Sequence, residues 1–280
     1  MKKAFVLVAL AGMVSIASAE GIVGLTLNNE LVRFDSASPN ATFGTVAVSG
    51  LQAGERLLGI DFRPATGQLF GIGSDSRLYK VNVVTGVATQ VGSGQFSTLL
   101  TANNYGFDFN PTVDRIRVVG SNGQNLRLNP ITGGVAAVDG TIVYAAGDTN
   151  ANVTPSVVGS AYTNNFNGAS STTLYNIDLA TGALVTQIPP NNGVLNTVGM
   201  LGAAFDVNTG FDISSQTGVA FASLNSGGLT RLYTINLATG AATLVGTVGA
   251  GLSDISVFIP TAPSVAALGL GGVVALRRRR

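Results

Sequence analysis

The sequence predicts an all-β fold, a β-propeller of five blades with about four antiparallel strands each. Three observations predict it. A strand-like phrase recurs as Leu78-Tyr79-Lys80-Val81-Asn82 with Thr85-Gly86, as Leu174-Tyr175-Asn176-Ile177-Asp178 with Thr181-Gly182, and as Leu232-Tyr233-Thr234-Ile235-Asn236 with Thr239-Gly240. Looser copies occupy 31–35 and 125–129, and the polar residues closing the five copies are separated by 47, 47, 49 and 58 positions. A period in this range, built of strands and turns, is the mark of a propeller. A second phrase keeps the same step, with Gly59-Ile60-Asp61-Phe62 returning as Gly106-Phe107-Asp108-Phe109 and echoed at Gly210-Phe211-Asp212-Ile213 and Leu252-Ser253-Asp254-Ile255. Finally, the span 20–259 holds 240 residues, about five periods of 47.

The chain opens with a secretory signal over 1–19. Lys2 and Lys3 supply its charged start, 4–16 its apolar middle, and Ala17-Ser18-Ala19 an A-x-A cleavage site, so the mature chain begins at Glu20. The run is too short for the roughly 20 apolar residues that span a bilayer.

Each Asp-bearing phrase is expected to start a blade, and each Leu-Tyr phrase to be its third strand. In the second blade, strands are expected at 57–62, 68–73, 77–83 and 87–91. A turn at Thr85-Gly86 lets glycine take the left-handed conformation. Alternation of Leu78, Lys80 and Asn82 against Tyr79, Val81 and Val83 is that of a half-buried strand. For the fourth blade the expected first strand is 141–146 and the second 157–163. The last Asp-bearing phrase has no third strand after it, and the N-terminal third strand, 31–35, has no Asp-bearing start. The strand 254–258 is therefore expected to join the blade formed by 22–48, closing the ring by pairing the two ends and removing two sheet edges.

The C-terminal segment, 260–280, reads as a sorting signal. Pro260-Thr261-Ala262-Pro263 breaks regular structure, 264–276 is a short apolar run, and Arg277, Arg278, Arg279 and Arg280 form a block that stays cytoplasmic. The layout resembles the PEP-CTERM signal of bacteria, with Pro-Thr-Ala-Pro where that signal has Pro-Glu-Pro. The resemblance implies a transient membrane association and removal by an exosortase-like enzyme, with retention as a weak tail anchor as the alternative, and, with the N-terminal signal, export to the cell surface or beyond. Lys2, Lys3 and the four terminal arginines are 6 of the 15 basic residues; the body keeps 9 against 14 acidic ones, a net charge near −5. Nothing in it suggests a nucleic-acid partner, which needs a clustered basic patch.

The residue types absent narrow the chemistry. With no His and no Cys there is no imidazole base, no thiol nucleophile and no His or Cys metal ligand. No calcium-loop pattern occurs, Asp75, Asp139 and Asp148 being scattered, and no cofactor is expected. Carboxylates remain as candidate catalysts: Asp61, Asp108, Asp212 and Asp254, all on expected inner strands. A pair of them could serve glycoside hydrolysis. A residue recurring in most blades is more simply a structural device whose carboxylate accepts backbone N–H bonds. Arg63, Arg115 and Arg117 are candidate partners for these carboxylates, and Arg115-Ile116-Arg117 reads as a strand with alternately exposed faces. Any ligand is expected on the rim carrying the variable connections 93–104, 164–172, 189–209 and 224–229, near the channel.

The run from Gly106-Phe107-Asp108-Phe109-Asn110-Pro111 through Asp114-Arg115-Ile116-Arg117-Val118-Val119 to Gln124-Asn125-Leu126-Arg127-Leu128-Asn129-Pro130 resembles the bacterial domain-of-unknown-function 4394 family. So do Tyr144-Ala145-Ala146-Gly147-Asp148 and Ala161-Tyr162-Thr163-Asn164. The resemblance covers nearly all of 22–258 and implies an exported propeller but no reaction, since that family carries no catalytic residues to transfer. The expectation is a cell-envelope or matrix module that binds a glycan or matrix protein. Its rivals are a carboxylate enzyme acting on polysaccharide and a passive surface component. Two unpaired carboxylates about 5–10 Å apart at a channel mouth would favour hydrolysis, and carboxylates tied to backbone or Arg would favour binding.

Overall fold

The computed structural model describes residues 19–259. Ala17, Pro260, Pro263 and the Arg277 to Arg280 block lie outside the described residues. The chain forms five separate sheets, one per blade of a closed propeller. In the second blade β4 (Leu57–Phe62), β5 (Leu69–Gly73), β6 (Arg77–Val81) and β7 (Ala88–Val91) run outward from the axis as an antiparallel meander. The third blade repeats it with β8 (Tyr105–Asn110), β9 (Arg115–Gly120), β10 (Asn125–Leu128) and β11 (Val135–Val138), and the fifth with β17 (Thr209–Ile213), β18 (Ala220–Ser226), β19 (Leu229–Ile235) and β20 (Ala242–Thr247).

The ring closes as the sequence predicts. β21 (Leu252–Val257) is the inner strand of the first blade and pairs with β1 (Gly21–Thr26), which continues into β2 (Glu30–Asp35) and β3 (Ser38–Ala47). Leu252, Ile255 and Val257 are buried in that strand, each worth about 1.5–3 kcal/mol of burial. Glu20 fastens the seam from the other side. Its carboxylate accepts hydrogen bonds from Ser214 and Thr217 of the fifth blade, and Ser36 N–H donates to its carbonyl oxygen.

The repeated phrase has a physical account. Its closing residue caps the following turn: Asn82 Oδ1 accepts from the N–H groups of Val84 and Thr85, Asn129 Oδ1 from Ile131 and Thr132, and Asn236 Oδ1 from Ala238 and Thr239. The following Gly86 has φ 72°, the left-handed region that glycine enters without steric cost.

That phrase therefore marks a strand and its turn, not the strand's rank in a blade. The fourth blade shows the difference. Its inner strand is β13 (Val157–Tyr162), followed outward by β14 (Leu174–Asp178), β15 (Ala183–Gln187) and β16 (Val194–Met200). The 141–146 segment supplies β12 (Val143–Tyr144), a fifth, outermost strand parallel to β16. The expected first strand is thus the last, and the Leu-Tyr phrase of this blade is its second strand. Gly159-Ser160-Ala161-Tyr162 occupies the inner position without the Asp that marked the others.

The core lies mainly between neighbouring blades. Phe70 of the second blade packs edge-on against Phe109 of the third, ring centres 5.3 Å apart, within a buried cluster that includes Phe107, Ile116 and Val118. The junction of the third and fourth blades is different: its apolar cluster is small, built on Val119, Ile142, Tyr144, Val157 and Val185. Much of that seam is filled by hydrogen-bonded polar side chains instead.

Candidate functional site

The structure brings all four candidate aspartates to the axis. Asp61, Asp108 and Asp212 are nearly inaccessible, and each can offer a carboxylate oxygen within 4.8 Å of the others. Each ties its blade to the next. Phe109 N–H donates to Asp61 Oδ2 (2.8 Å), Tyr162 N–H to Asp108 Oδ1 (3.0 Å), Val257 N–H to Asp212 Oδ2 (2.6 Å) and Ile60 N–H to Asp254 Oδ2 (2.8 Å). In the first blade the position equivalent to Asp61 is taken by Ser256, whose Oγ accepts from Phe62 N–H; Asp254 lies two residues earlier in the same strand. The fourth blade has Ala161 there, and Ile213 N–H turns to Asp212 Oδ1 of its own blade instead.

Small residues make the narrow axis possible. A Cβ on Gly106 would lie 2.0 Å from Ser160 Oγ and 2.7 Å from Ser160 N, so the inner strands of the third and fourth blades meet only because that residue is glycine.

Burial raises the carboxyls of Asp61, Asp108 and Asp254 well above the ordinary carboxylate range. For Asp61 the Asp212 charge adds to it, and for Asp108 the charges of Asp61 and Asp212 do. Burial also lifts Asp212 to about 7, against hydrogen bonds from Val257 and Ile213 that favour its charge. Asp61, Asp108 and Asp212 are also the residues that could hold a hard cation by their oxygen chemistry. Yet both oxygens of Asp61 and of Asp212, and one of Asp108, already accept hydrogen bonds. The group is sealed from solvent and hydrogen-bonded between blades.

The arginines do not pair with these aspartates. Arg63 pairs with Asp114, and Arg115 Nη1 donates to the Asp114 carbonyl at 2.8 Å. Arg117 sits in β9, but its face is not exposed: 2 % of it is accessible. The expected alternation fails because blade-to-blade packing covers both faces of β9. Arg117 Nη1 donates to Asn125 Oδ1 (2.8 Å) and Asp139 Oδ2 (2.6 Å), Nη2 to Asn191 Oδ1 (2.7 Å) and Nε to Tyr162 Oη (3.4 Å). Arg127, paired with Arg117 across β9 and β10, grips Asp139 through Nε (2.8 Å) and Nη2 (2.9 Å).

This network floors an open groove on the rim opposite the blade-to-blade links. One part, about 430 Å³, is lined by Asn110, Arg115, Arg117, Arg127, Tyr162 and Asn191. It adjoins a second part, about 700 Å³, walled by Thr112, by 170–174 and by Gln187 to Pro190. Of these walls, 170–173 belongs to the long β13–β14 connection, Thr112 to the β8–β9 turn and Ile188 and Pro190 to the β15–β16 connection. Because β13 is the inner strand, 164–172 belongs to this rim and not to the linker rim where it was expected. A small cleft marks the channel mouth on the linker rim, where Arg56, Asn103, Asn104 and Asn208 converge. The buried polar run leading to the groove is continuous: Ser160 Oγ donates to Asn176 Oδ1, Asn176 Nδ2 to Gln187 Oε1, and Gln187 Nε2 to the Pro190 carbonyl. Sequence reasoning missed Arg127, Asp139, Asn125 and Asn191 as members of one site. The odd Gly-Ser-Ala-Tyr blade was the signal that this seam departs from the repeat.

The chain belongs to the family described as a domain of unknown function (DUF4394), whose model matches residues 30–256. No curated protein matches the sequence. Among solved structures it is similar to Myxococcus xanthus glutaminyl cyclase (9 % identity, 78 % of this chain and 83 % of that one, TM-score 0.46). It is also similar to a dihydro-heme d1 dehydrogenase (11 %, 82 % and 44 %, TM-score 0.38) and to Kuenenia stuttgartiensis hydrazine synthase (12 %, 72 % and 51 %, TM-score 0.40). The chain thus spans about half the length of the last two, and likenesses this distant carry no argument about activity. It is a β-propeller domain of unknown function.

Proposed function

We propose that this propeller is an exported bacterial cell-envelope or matrix module that binds a glycan, with the groove at the junction of the third and fourth blades as its site. One observation carries the reading. The carboxylates that would serve hydrolysis are closed to solvent and bonded to the neighbouring blade, whereas the groove is open and lined with amide, hydroxyl and guanidinium groups. Sugar hydroxyls pair with such groups, and the exposed Ile188 with the half-buried Pro190 offers an apolar face to a pyranose. Cleavage after Ala19 by signal peptidase and exosortase-like processing of 260–280 belong to the same proposal and would deliver the domain to the cell surface or the extracellular space.

The test is glycan-array binding with the purified protein, run beside an assay for reducing ends released from bacterial exopolysaccharide. Binding without release is expected. Release that disappears in Asp61→Asn or Asp108→Asn would overturn the reading and make the axial carboxylates catalytic.

A further inference from the structure

The polar seam is unusually charged for a body whose net charge is negative. Arg115, Arg117 and Arg127 bring three guanidinium groups to the groove, and among the described residues their one carboxylate partner is Asp139, 6 % exposed and shared by Arg117 and Arg127. Asp114, the next carboxylate, is already held by Arg63. The groove therefore keeps an excess of positive charge. Its guanidinium donors also exceed the acceptors facing them: among the described residues, Arg127 Nη1 and the Nε and Nη2 of Arg115 make no hydrogen bond within the protein. Arg127 is 32 % exposed, so its unused edge meets solvent while its other edge is fixed on Asp139. A guanidinium oriented in this way is matched to an oxyanion that can accept two parallel N–H bonds.

Resting on the glycan-binding reading, we infer that the groove is built for an acidic saccharide, a uronate whose carboxylate is taken by Arg115 and Arg127. Arg117 is a positioning residue: it holds Asp139, which in turn orients the fork of Arg127. The neighbouring wall of small hydroxyl side chains, Ser170, Ser171, Thr172 and Thr173, with Asn110 and Thr112, takes the sugar hydroxyls and favours a glycan over an acidic peptide.

The experiment is titration calorimetry of the purified protein with oligogalacturonate, with a neutral glucan oligomer of the same length, and with a poly-glutamate peptide. It is repeated for Arg115→Gln, Arg127→Gln and Arg56→Gln, the last a charge-matched control at the channel mouth. Thermal melts verify that each variant is folded. Arg115→Gln and Arg127→Gln are expected to weaken uronate binding about tenfold each and neutral binding by a smaller factor, with Arg56→Gln as wild type. Uronate affinity should also fall with added salt. Equal affinity for the neutral oligomer would overturn the charge inference while leaving glycan binding intact. Loss confined to Arg56→Gln would move the site to the channel mouth, and tighter binding of poly-glutamate would replace the saccharide with a peptide. No binding of any oligomer would remove the glycan reading itself.

Discussion

Replacing Asp108 by Asn tests the axial ring most directly. Only Oδ1 of Asp108 is engaged, by Tyr162 N–H, so an Asn keeps that bond and turns its amide N–H groups toward the carboxylates of Asp61 and Asp212. The native ring should lose stability as pH rises, because its carboxyls titrate higher in the folded chain than in the unfolded one. That contribution is whole below the unfolded value and disappears as pH climbs through the folded value, which is about 7 for Asp212 against 3.8 for a free Asp. The gap is worth about 4 kcal/mol at ~1.4 kcal/mol per pH unit. Two ionised carboxylates with oxygens within 4.8 Å of each other repel by about 3 kcal/mol at an effective dielectric near 20, so Asp108→Asn, which cannot ionise, should recover stability of that order at alkaline pH. Urea unfolding followed by circular dichroism from pH 5 to pH 9 reads both effects. The wild type should weaken across that window and the variant should be flatter and more stable at its alkaline end. A wild type that strengthens with pH, or a variant weaker than wild type at pH 8, would refute the argument. Below pH 4 an opposite slope enters from Asp148, where hydrogen bonds from Thr197 and Asn150 outweigh desolvation and hold the carboxyl low, a contribution lost as pH falls.

Other substitutions follow from the same contacts. Arg117→Met should destabilise by about 3 kcal/mol, since it strands the buried oxygen of Asn125, removes a bond to Asn191 and removes one partner of Asp139; the urea midpoint measures it, and a change under 1 kcal/mol would contradict the network. Gly106→Ala should cost more than about 3 kcal/mol or block folding, because the new Cβ meets the Ser160 backbone, whereas Gly147→Ala, with open space around it, should shift stability by less than about 0.5 kcal/mol. Ile255→Ala in the closing strand should cost about 2–5 kcal/mol and, by loosening the seam, speed proteolysis of both chain ends relative to the blades between them.

Period, turn chemistry and inner-strand glycines are local properties, and they sufficed for the five-bladed ring, for the four strands of the second blade and for closure by the terminal strands. Asn82, Asn129 and Asn236 repeat because each must cap the turn that follows it, whatever the rest of the molecule does. The rank of a strand within its blade is not local, and there the sequence misled: Leu174 to Asp178 carries the same phrase as its counterparts yet lies second from the axis, because strand order is decided by which segment can pack against the neighbouring inner strands. Gly159 to Tyr162 wins that place. The same reason hid the groove. Arg117, Asp139 and Asn191 are far apart in the chain, and nothing in their spacing records that they share one seam. By itself the sequence determined the ring and the positions of its axial aspartates. The tertiary structure decided which of the polar residues are sealed into the fold and which face an open groove, because only the approach of neighbouring blades sets what water can reach.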